Sequence, residues 1–111
     1  MMRKICIIGI GLIGGSLAKA IKKSNQSEMV FGYGRDKSLL KKAHKDNVID
    51  QYSTDIGEAL DGANMAIIAT PVGSYESILK EMKSHITKDM VISDVGSTKA
   101  SVIEALKAVF G

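Results

Sequence analysis

Short apolar runs alternate along the chain with longer segments in which apolar residues recur every three or four positions. The apolar runs predict five strands, over residues 4–8, 29–33, 48–49, 64–69 and 90–93. The helical spacing predicts helices over residues 14–24, 38–45, 74–84 and 98–110, and a short helix that is capped by Thr54 or Asp55 and ends near Leu60. Four residues of the helix over 74–84 are expected to face the core: Tyr75, Ile78, Leu79 and Met82.

This alternation of strands and helices predicts a parallel sheet built from βαβ units with right-handed crossovers. We therefore predict an α/β fold, a Rossmann-like doubly wound parallel sheet with strand order 3-2-1-4-5, in which residues 1–111 form one domain. Ligands of such sheets bind outside the carboxyl ends of the strands, at the switch point between strands 1 and 4.

A glycine pattern lies where a ligand of this fold would need it. Gly9, Gly11 and Gly14 form Gly-x-Gly-x-x-Gly between the first predicted strand and the first predicted helix. This context indicates a dinucleotide-binding loop, whereas the spacing alone is weak evidence. Gly9 would allow a tight turn, Gly11 the approach of a pyrophosphate, and Gly14 close packing of the helix on the strand. Free N–H groups at the helix start, around Leu12 and Ile13, would bind the phosphates; the alternative is a glycine-rich turn without a ligand.

The end of the second strand bears on which dinucleotide is bound. NAD-binding versions of the fold place an acidic residue about twenty positions beyond the glycine loop, on the ribose hydroxyls. Here Gly34 occupies that position and Arg35 follows it. A guanidinium can bind a 2′-phosphate through two charge-assisted contacts, to which Lys37 and Ser38 could add, so we predict NADP as cofactor. The alternative is NAD, with Asp36 as the ribose acceptor.

Composition and charge argue against several other classes of protein. The net charge is +3 and the pI about 9.0, without an arginine-rich run or interleaved aromatic residues, so we predict no nucleic-acid partner. An anionic small ligand accounts for the sign of the charge equally well. No apolar run is long enough for a membrane span or a signal peptide, and we predict neither a membrane partner nor a metal site. The lone Cys6 lies in the first predicted strand, and we expect a buried thiol in a reducing cytoplasm.

Three motifs give the chain a specific resemblance. Residues 9–18, which include a doubled glycine followed by Ser-Leu-Ala, resemble the opening signature of prephenate and arogenate dehydrogenases. Ala69, Thr70, Pro71 and Val72 are similar to the loop that follows the fourth strand in that family. Residues 93–99 resemble its Asp-x-Gly-Ser-x-Lys motif after the fifth strand. The three motifs stand in order along the chain and all fall on the predicted ligand edge.

The resemblance implies an oxidative decarboxylation in tyrosine biosynthesis. A hydride leaves ring carbon four of prephenate or arogenate for the nicotinamide, carbon dioxide departs, and the ring becomes aromatic. Ser97 matches the serine that assists a catalytic histidine at the ring hydroxyl in this family; a hydroxyl there can both donate and accept a hydrogen bond. Ser97 as the N-cap of the last helix is an alternative that does not exclude this role. Thr70, Pro71 and Val72 would lie beside the nicotinamide.

One family motif has no counterpart in this sequence. The catalytic histidine of the family lies in a His-Pro-x-x-Gly stretch beyond the last predicted helix, and neither His44 nor His85 stands in such a motif. We therefore expect the chain to be the cofactor-binding part of a larger homodimeric enzyme, inactive or nearly so by itself and prone to self-association. Two other functions stay open: another β-hydroxyacid-type NAD(P)-dependent reductase domain, and a non-catalytic dinucleotide-sensing module.

Overall fold

The computed structural model describes residues 3–25, 27–70 and 72–94. Five strands and four helices are described: β1 (Ile5–Ile8), α1 (Leu12–Ser24), β2 (Val30–Tyr33), α2 (Lys37–Lys45), β3 (Gln51–Ser53), α3 (Ile56–Leu60), β4 (Met65–Ile68), α4 (Tyr75–Met82) and β5 (Val91–Asp94). One-turn 3₁₀ segments, Val72–Ser74 and Lys83–His85, flank α4 on its two sides. The predicted helix over residues 98–110 lies outside the described residues.

The five strands form one parallel sheet in the order β3-β2-β1-β4-β5, which confirms the predicted fold and topology. In the register, Ile8 at the end of β1 lies beside Tyr33 of β2 and Ile68 of β4. All residues of β1 and β2 are buried, as expected for strands covered on both faces. The carboxyl ends of β1, β2 and β4 therefore lie side by side, and the chain leaves the sheet there three times.

The helices cover the two faces of the sheet with two separate apolar clusters. On one face, α3 and α4 pack against alternate strand residues, and the inward residues include Tyr75, Ile78, Leu79 and Met82, as predicted. On the other face, α1 and α2 pack through Ala18 and Leu40. Among the described residues no helix is long and apolar enough to cross a membrane.

The predicted third strand over residues 48–49 is wrong. Val48 and Ile49 are buried, but they lie in the turn after α2, where the Val48 N–H donates to the Ala43 carbonyl at 2.8 Å. Pairing with β2 begins at Asp50, whose N–H donates to the Val30 carbonyl at 2.8 Å. The apolar pair thus fills the space beneath α2, and the edge strand that follows carries polar residues.

Polar side chains fix the ends of elements at both edges of the sheet. Asp55 caps α3 by accepting from the Glu58 N–H at 2.9 Å, which decides between the two predicted caps. At the opposite edge, the Lys22 ammonium lies 2.9 Å from Asp50 Oδ1 and also donates to the Asn47 carbonyl at 2.9 Å. Because Asp50 also accepts from the Val30 N–H at 2.8 Å, this ion pair connects α1 to β2.

Candidate functional site

Two adjoining cavities open at the carboxyl ends of β1, β2 and β4. Their volumes are about 280 Å³ and about 230 Å³. They share four lining residues: Gly9, Gly34, Arg35 and Thr70. We call the combined space the crevice. Its position matches the switch point at which ligands of doubly wound sheets bind.

The three glycines of the loop meet three different surroundings. Gly9 has φ +96°, and a Cβ on it would lie 2.8 Å from Thr70 Cγ2, so both conformation and space require glycine. A Cβ on Gly14 would collide with the Gly9 carbonyl oxygen and would lie 3.3 Å from Ala69 Cβ. A Cβ on Gly11 would meet no atom within 4 Å, so the space above this residue is open. Gly9 and Gly14 thus serve the fold, and Gly11 leaves room at the crevice.

The amino end of α1 lacks its own capping group. Gly11 is the N-cap, it makes no side-chain capping bond, and the first turn contains no acidic residue. Leu12 and Ile13 are the first two residues of the helix, and the Ile13 side chain is exposed. An uncapped helix start next to an open space offers N–H donors and the positive end of the helix dipole to an anion.

The exit of β4 contributes an unpaired polar atom. The Thr70 hydroxyl oxygen is buried and has no hydrogen-bond partner among the residues that the structure describes. Buried polar atoms are nearly always paired, so this hydroxyl is suited to a bound group. Val72 begins the 3₁₀ turn that follows, whereas Pro71 and Ser97 lie outside the described residues.

The exit of β2 brings together residues of opposite charge. Gly34 and Arg35 line the crevice, and the Arg35 side chain is 73% exposed. Asp36 is the N-cap of α2, and its Oδ1 accepts from the Leu39 N–H at 3.2 Å.

Glu81 of α4 also reaches the exit of β2, with Oε1 3.2 Å from Arg35 Nη2 and Oε2 accepting from the Tyr33 hydroxyl at 3.3 Å. Burial, followed by the Glu81 charge, raises the pKa of the Tyr33 phenol.

Sequence reasoning missed the contribution of α4 to the crevice. Ser74, Ser77 and Ile78 line its wall, and Glu81 lies one turn beyond Ser77. The signal was present in the spacing, because positions 74, 77 and 81 recur at helical intervals and are polar. Only the inward apolar positions of this helix were assigned, and the polar stripe beside them was not.

The other reactive side chains lie elsewhere. Cys6 is fully buried in β1, and burial raises the pKa of its thiol to about 12, which leaves it inert. His44 is exposed on α2, with its ring 5.5 Å from that of Tyr52. His85 is also exposed, in the turn after α4, next to Gly57. Neither histidine lines the crevice.

Comparisons with known proteins agree with this geometry. Residues 17–111 match the family model described as prephenate dehydrogenase, nucleotide-binding domain. A prephenate dehydrogenase of Lactococcus lactis subsp. cremoris is 34% identical over 98% of this chain and 30% of its own length.

Two solved dehydrogenase structures share the fold of this chain. A prephenate dehydrogenase from A. aeolicus, in complex with hydroxyphenyl propionate and NAD+, superposes on the whole chain and on 39% of its own, with TM-score 0.89 and 27% identity. An arogenate dehydrogenase from Synechocystis covers 97% of the chain with 38% of its own, with TM-score 0.86 and 26% identity.

These matches involve one part of each relative. The chain spans between 28% and 36% of the length of the curated dehydrogenases that it matches at 33% identity or more. The family model covers residues 17–111 of the 111 in this chain. The glycine loop, the uncapped helix and the crevice are the features expected of a domain that binds a nicotinamide dinucleotide. The chain belongs to the family of prephenate dehydrogenase nucleotide-binding domains.

Proposed function

We propose that the crevice binds a nicotinamide dinucleotide with its pyrophosphate over Gly11, at the amino end of α1. The observation that carries this proposal is the open space above Gly11 next to a helix start that has no capping group of its own. A pyrophosphate would accept from the first N–H groups of the helix, around Leu12 and Ile13. Gly9 and Gly14 hold the loop in the shape that leaves this space free.

The residues around the crevice form two groups, one for each end of the cofactor. Gly34, Arg35 and the neighbouring Asp36 lie at the exit of β2 and would face the adenosine ribose. Thr70 lies at the exit of β4, and its unpaired buried hydroxyl would hydrogen-bond to the cofactor. By the family resemblance, Pro71 and Val72 would line the nicotinamide. When bound, the nicotinamide supplies a hydride acceptor.

The cofactor we propose is NADP rather than NAD. Gly34 leaves the position of the usual ribose-binding carboxylate without a side chain, and the exposed Arg35 can approach a 2′-phosphate. The rival residue, Asp36, directs one carboxylate oxygen to the Leu39 N–H as the cap of α2. This use of Asp36 supports Arg35 as the ribose-side determinant.

The reaction we propose for the enzyme is the oxidative decarboxylation of prephenate or arogenate. Support comes from the family match and from the names of the relatives, which include both prephenate and arogenate dehydrogenases. Ser97 keeps its proposed role at the ring hydroxyl of the substrate. We also propose that the larger enzyme is a homodimer.

Calorimetric titration of the chain with NADP+ and with NAD+ tests the cofactor assignment. We expect tighter binding of NADP+, and we expect Arg35→Gln to weaken NADP+ binding by about tenfold or more, the value of a charge-assisted hydrogen bond, with little change for NAD+. Arg3→Gln is the matched control, because Arg3 is the only other arginine and precedes β1 at the opposite edge of the sheet. Tighter binding of NAD+ by the unaltered chain would overturn the assignment to NADP.

A further inference from the structure

The carboxylate of Glu81 already forms an ion pair with Arg35, the residue to which the proposed function assigns the 2′-phosphate. Glu81 Oε1 lies 3.2 Å from Arg35 Nη2, and Glu81 Oε2 accepts from the Tyr33 hydroxyl at 3.3 Å. Tyr33 ends β2 and Glu81 lies on α4, so the carboxylate connects α4 to two residues that line the crevice, Tyr33 and Arg35. A phosphate that approaches Arg35 therefore meets a negative charge that the fold holds in place.

The two bonds of Glu81 differ in strength and exposure. The ion pair with Arg35 is exposed to solvent, and such pairs contribute little to folding stability, so an incoming phosphate can displace it. The phenol of Tyr33 is buried in the core face and keeps its proton at neutral pH, so its hydrogen bond retains the carboxylate near Arg35 after displacement. Glu81 thus stays in competition with a 2′-phosphate for the Arg35 guanidinium, whereas a ribose hydroxyl carries no charge and does not need to displace the carboxylate.

We propose that Glu81 is a positioning residue for Arg35 that lowers the affinity of the crevice for 2′-phosphorylated nucleotides relative to those with a free 2′-hydroxyl. This inference rests on the proposed function, because it takes Arg35 as the residue that binds the phosphate. Glu81 sets the size of the preference for NADP, and Arg35 sets its direction. The chain can therefore use NAD as a weaker ligand of the same crevice.

The chain provides a matched control for removing this charge. Glu76 lies on the same helix and pairs with Lys80 at 3.6 Å, one turn apart on an exposed face. Glu76→Gln removes the same charge from α4 without touching Arg35. Glu81→Gln keeps the shape of the side chain, and Glu81→Ala is a second variant with a residue that favours helix, so loss of folding does not decide the outcome.

The test is calorimetric titration with 2′,5′-ADP and 5′-AMP, followed by NADP+ and NAD+. We expect Glu81→Gln to tighten binding of 2′,5′-ADP and NADP+ by about fivefold and to leave 5′-AMP and NAD+ within about twofold, while Glu76→Gln changes none of them. In an Arg35→Gln background the effect of Glu81→Gln should shrink to that of Glu76→Gln, because Glu81 acts through Arg35. A structural role alone would not produce this dependence.

Two failures are distinguishable. If the unaltered chain binds none of the four nucleotides, the proposed function fails and this inference fails with it. If the unaltered chain binds them but Glu81→Gln and Glu81→Ala change the ratio of 2′,5′-ADP to 5′-AMP affinity no more than Glu76→Gln does, the role of Glu81 is overturned while the proposed function stands.

Discussion

The open space above Gly11 gives the sharpest test of the site, through the variant Gly11→Ala. Gly11 is extended, with φ −107°, and an added Cβ would meet no protein atom within 4 Å. We therefore expect the free energy of unfolding to change by less than about 1 kcal/mol, as for other substitutions that neither strain the backbone nor displace a neighbour. The proposed pyrophosphate would pass through this space, so the same methyl group should weaken NADP+ binding by at least about tenfold, or roughly 1.4 kcal/mol.

Two neighbouring glycines make the comparison decisive. The same substitution at Gly14 places a methyl group against the Gly9 carbonyl oxygen, so Gly14→Ala should lower the free energy of unfolding by about 1–3 kcal/mol. At Gly15, inside α1 and without an atom within 4 Å, Gly15→Ala should raise it by about 0.5–1 kcal/mol because alanine favours the helix. One chemical change thus has three separate expected consequences within five residues.

Urea unfolding followed by circular dichroism measures the stability of each variant, and titration with NADP+ measures affinity. Gly11→Ala should be the variant that keeps its stability and loses affinity. If Gly11→Ala binds NADP+ within about twofold of the unaltered chain, the pyrophosphate does not pass over Gly11 and the site is assigned wrongly. If Gly11→Ala unfolds instead, the space is not open and the geometric argument fails.

Two further predictions concern groups whose pKa the fold raises. Because burial raises the pKa of the Cys6 thiol to about 12, alkylation of the folded chain at about pH 8 should be on the order of a thousandfold slower than that of free cysteine, and rapid labelling without denaturant would contradict this. Burial and Glu81 raise the pKa of Tyr33 above its ordinary 10.0, so the stabilisation from its proton is complete below about pH 10 and is lost as the pH rises through the folded-state value. Urea unfolding at about pH 9 and about pH 11 measures this loss, which should be smaller for Tyr33→Phe than for the unaltered chain. Both chains contain Cys6, so ionisation of its thiol does not contribute to the difference. Equal losses would refute the assignment of the alkaline loss to Tyr33.

The alternation of apolar runs and helical spacing was sufficient to predict the sheet and its strand order. Each central strand is an uninterrupted apolar run, because it is covered on both faces, and such runs are visible without tertiary information. The third strand was misplaced for the opposite reason. It lies at the edge and consists of Gln51, Tyr52 and Ser53, so it carries little apolar signal, whereas the apolar pair before it belongs to a turn.

The glycine loop could be assigned by position because backbone requirements are local. A left-handed φ at Gly9 and contact of Gly14 with the preceding strand depend on a few residues in sequence order. The charge environment of Arg35 is not local, because Glu81 lies forty-six residues away along the chain. No periodic pattern relates the end of β2 to the far turn of α4, so this contact required the structure.

The cofactor preference of this fold therefore depends on a residue that is distant in sequence from the end of β2. A preference inferred from the residues that follow β2 assumes that an arginine there is free to bind phosphate. In this chain the arginine shares its charge with Glu81, which a buried tyrosine holds in place. The free energy of the preference is then a difference between two partners of one guanidinium, phosphate and carboxylate. A single uncharged substitution on α4 should therefore alter this free energy measurably, in the direction opposite to a substitution at Arg35.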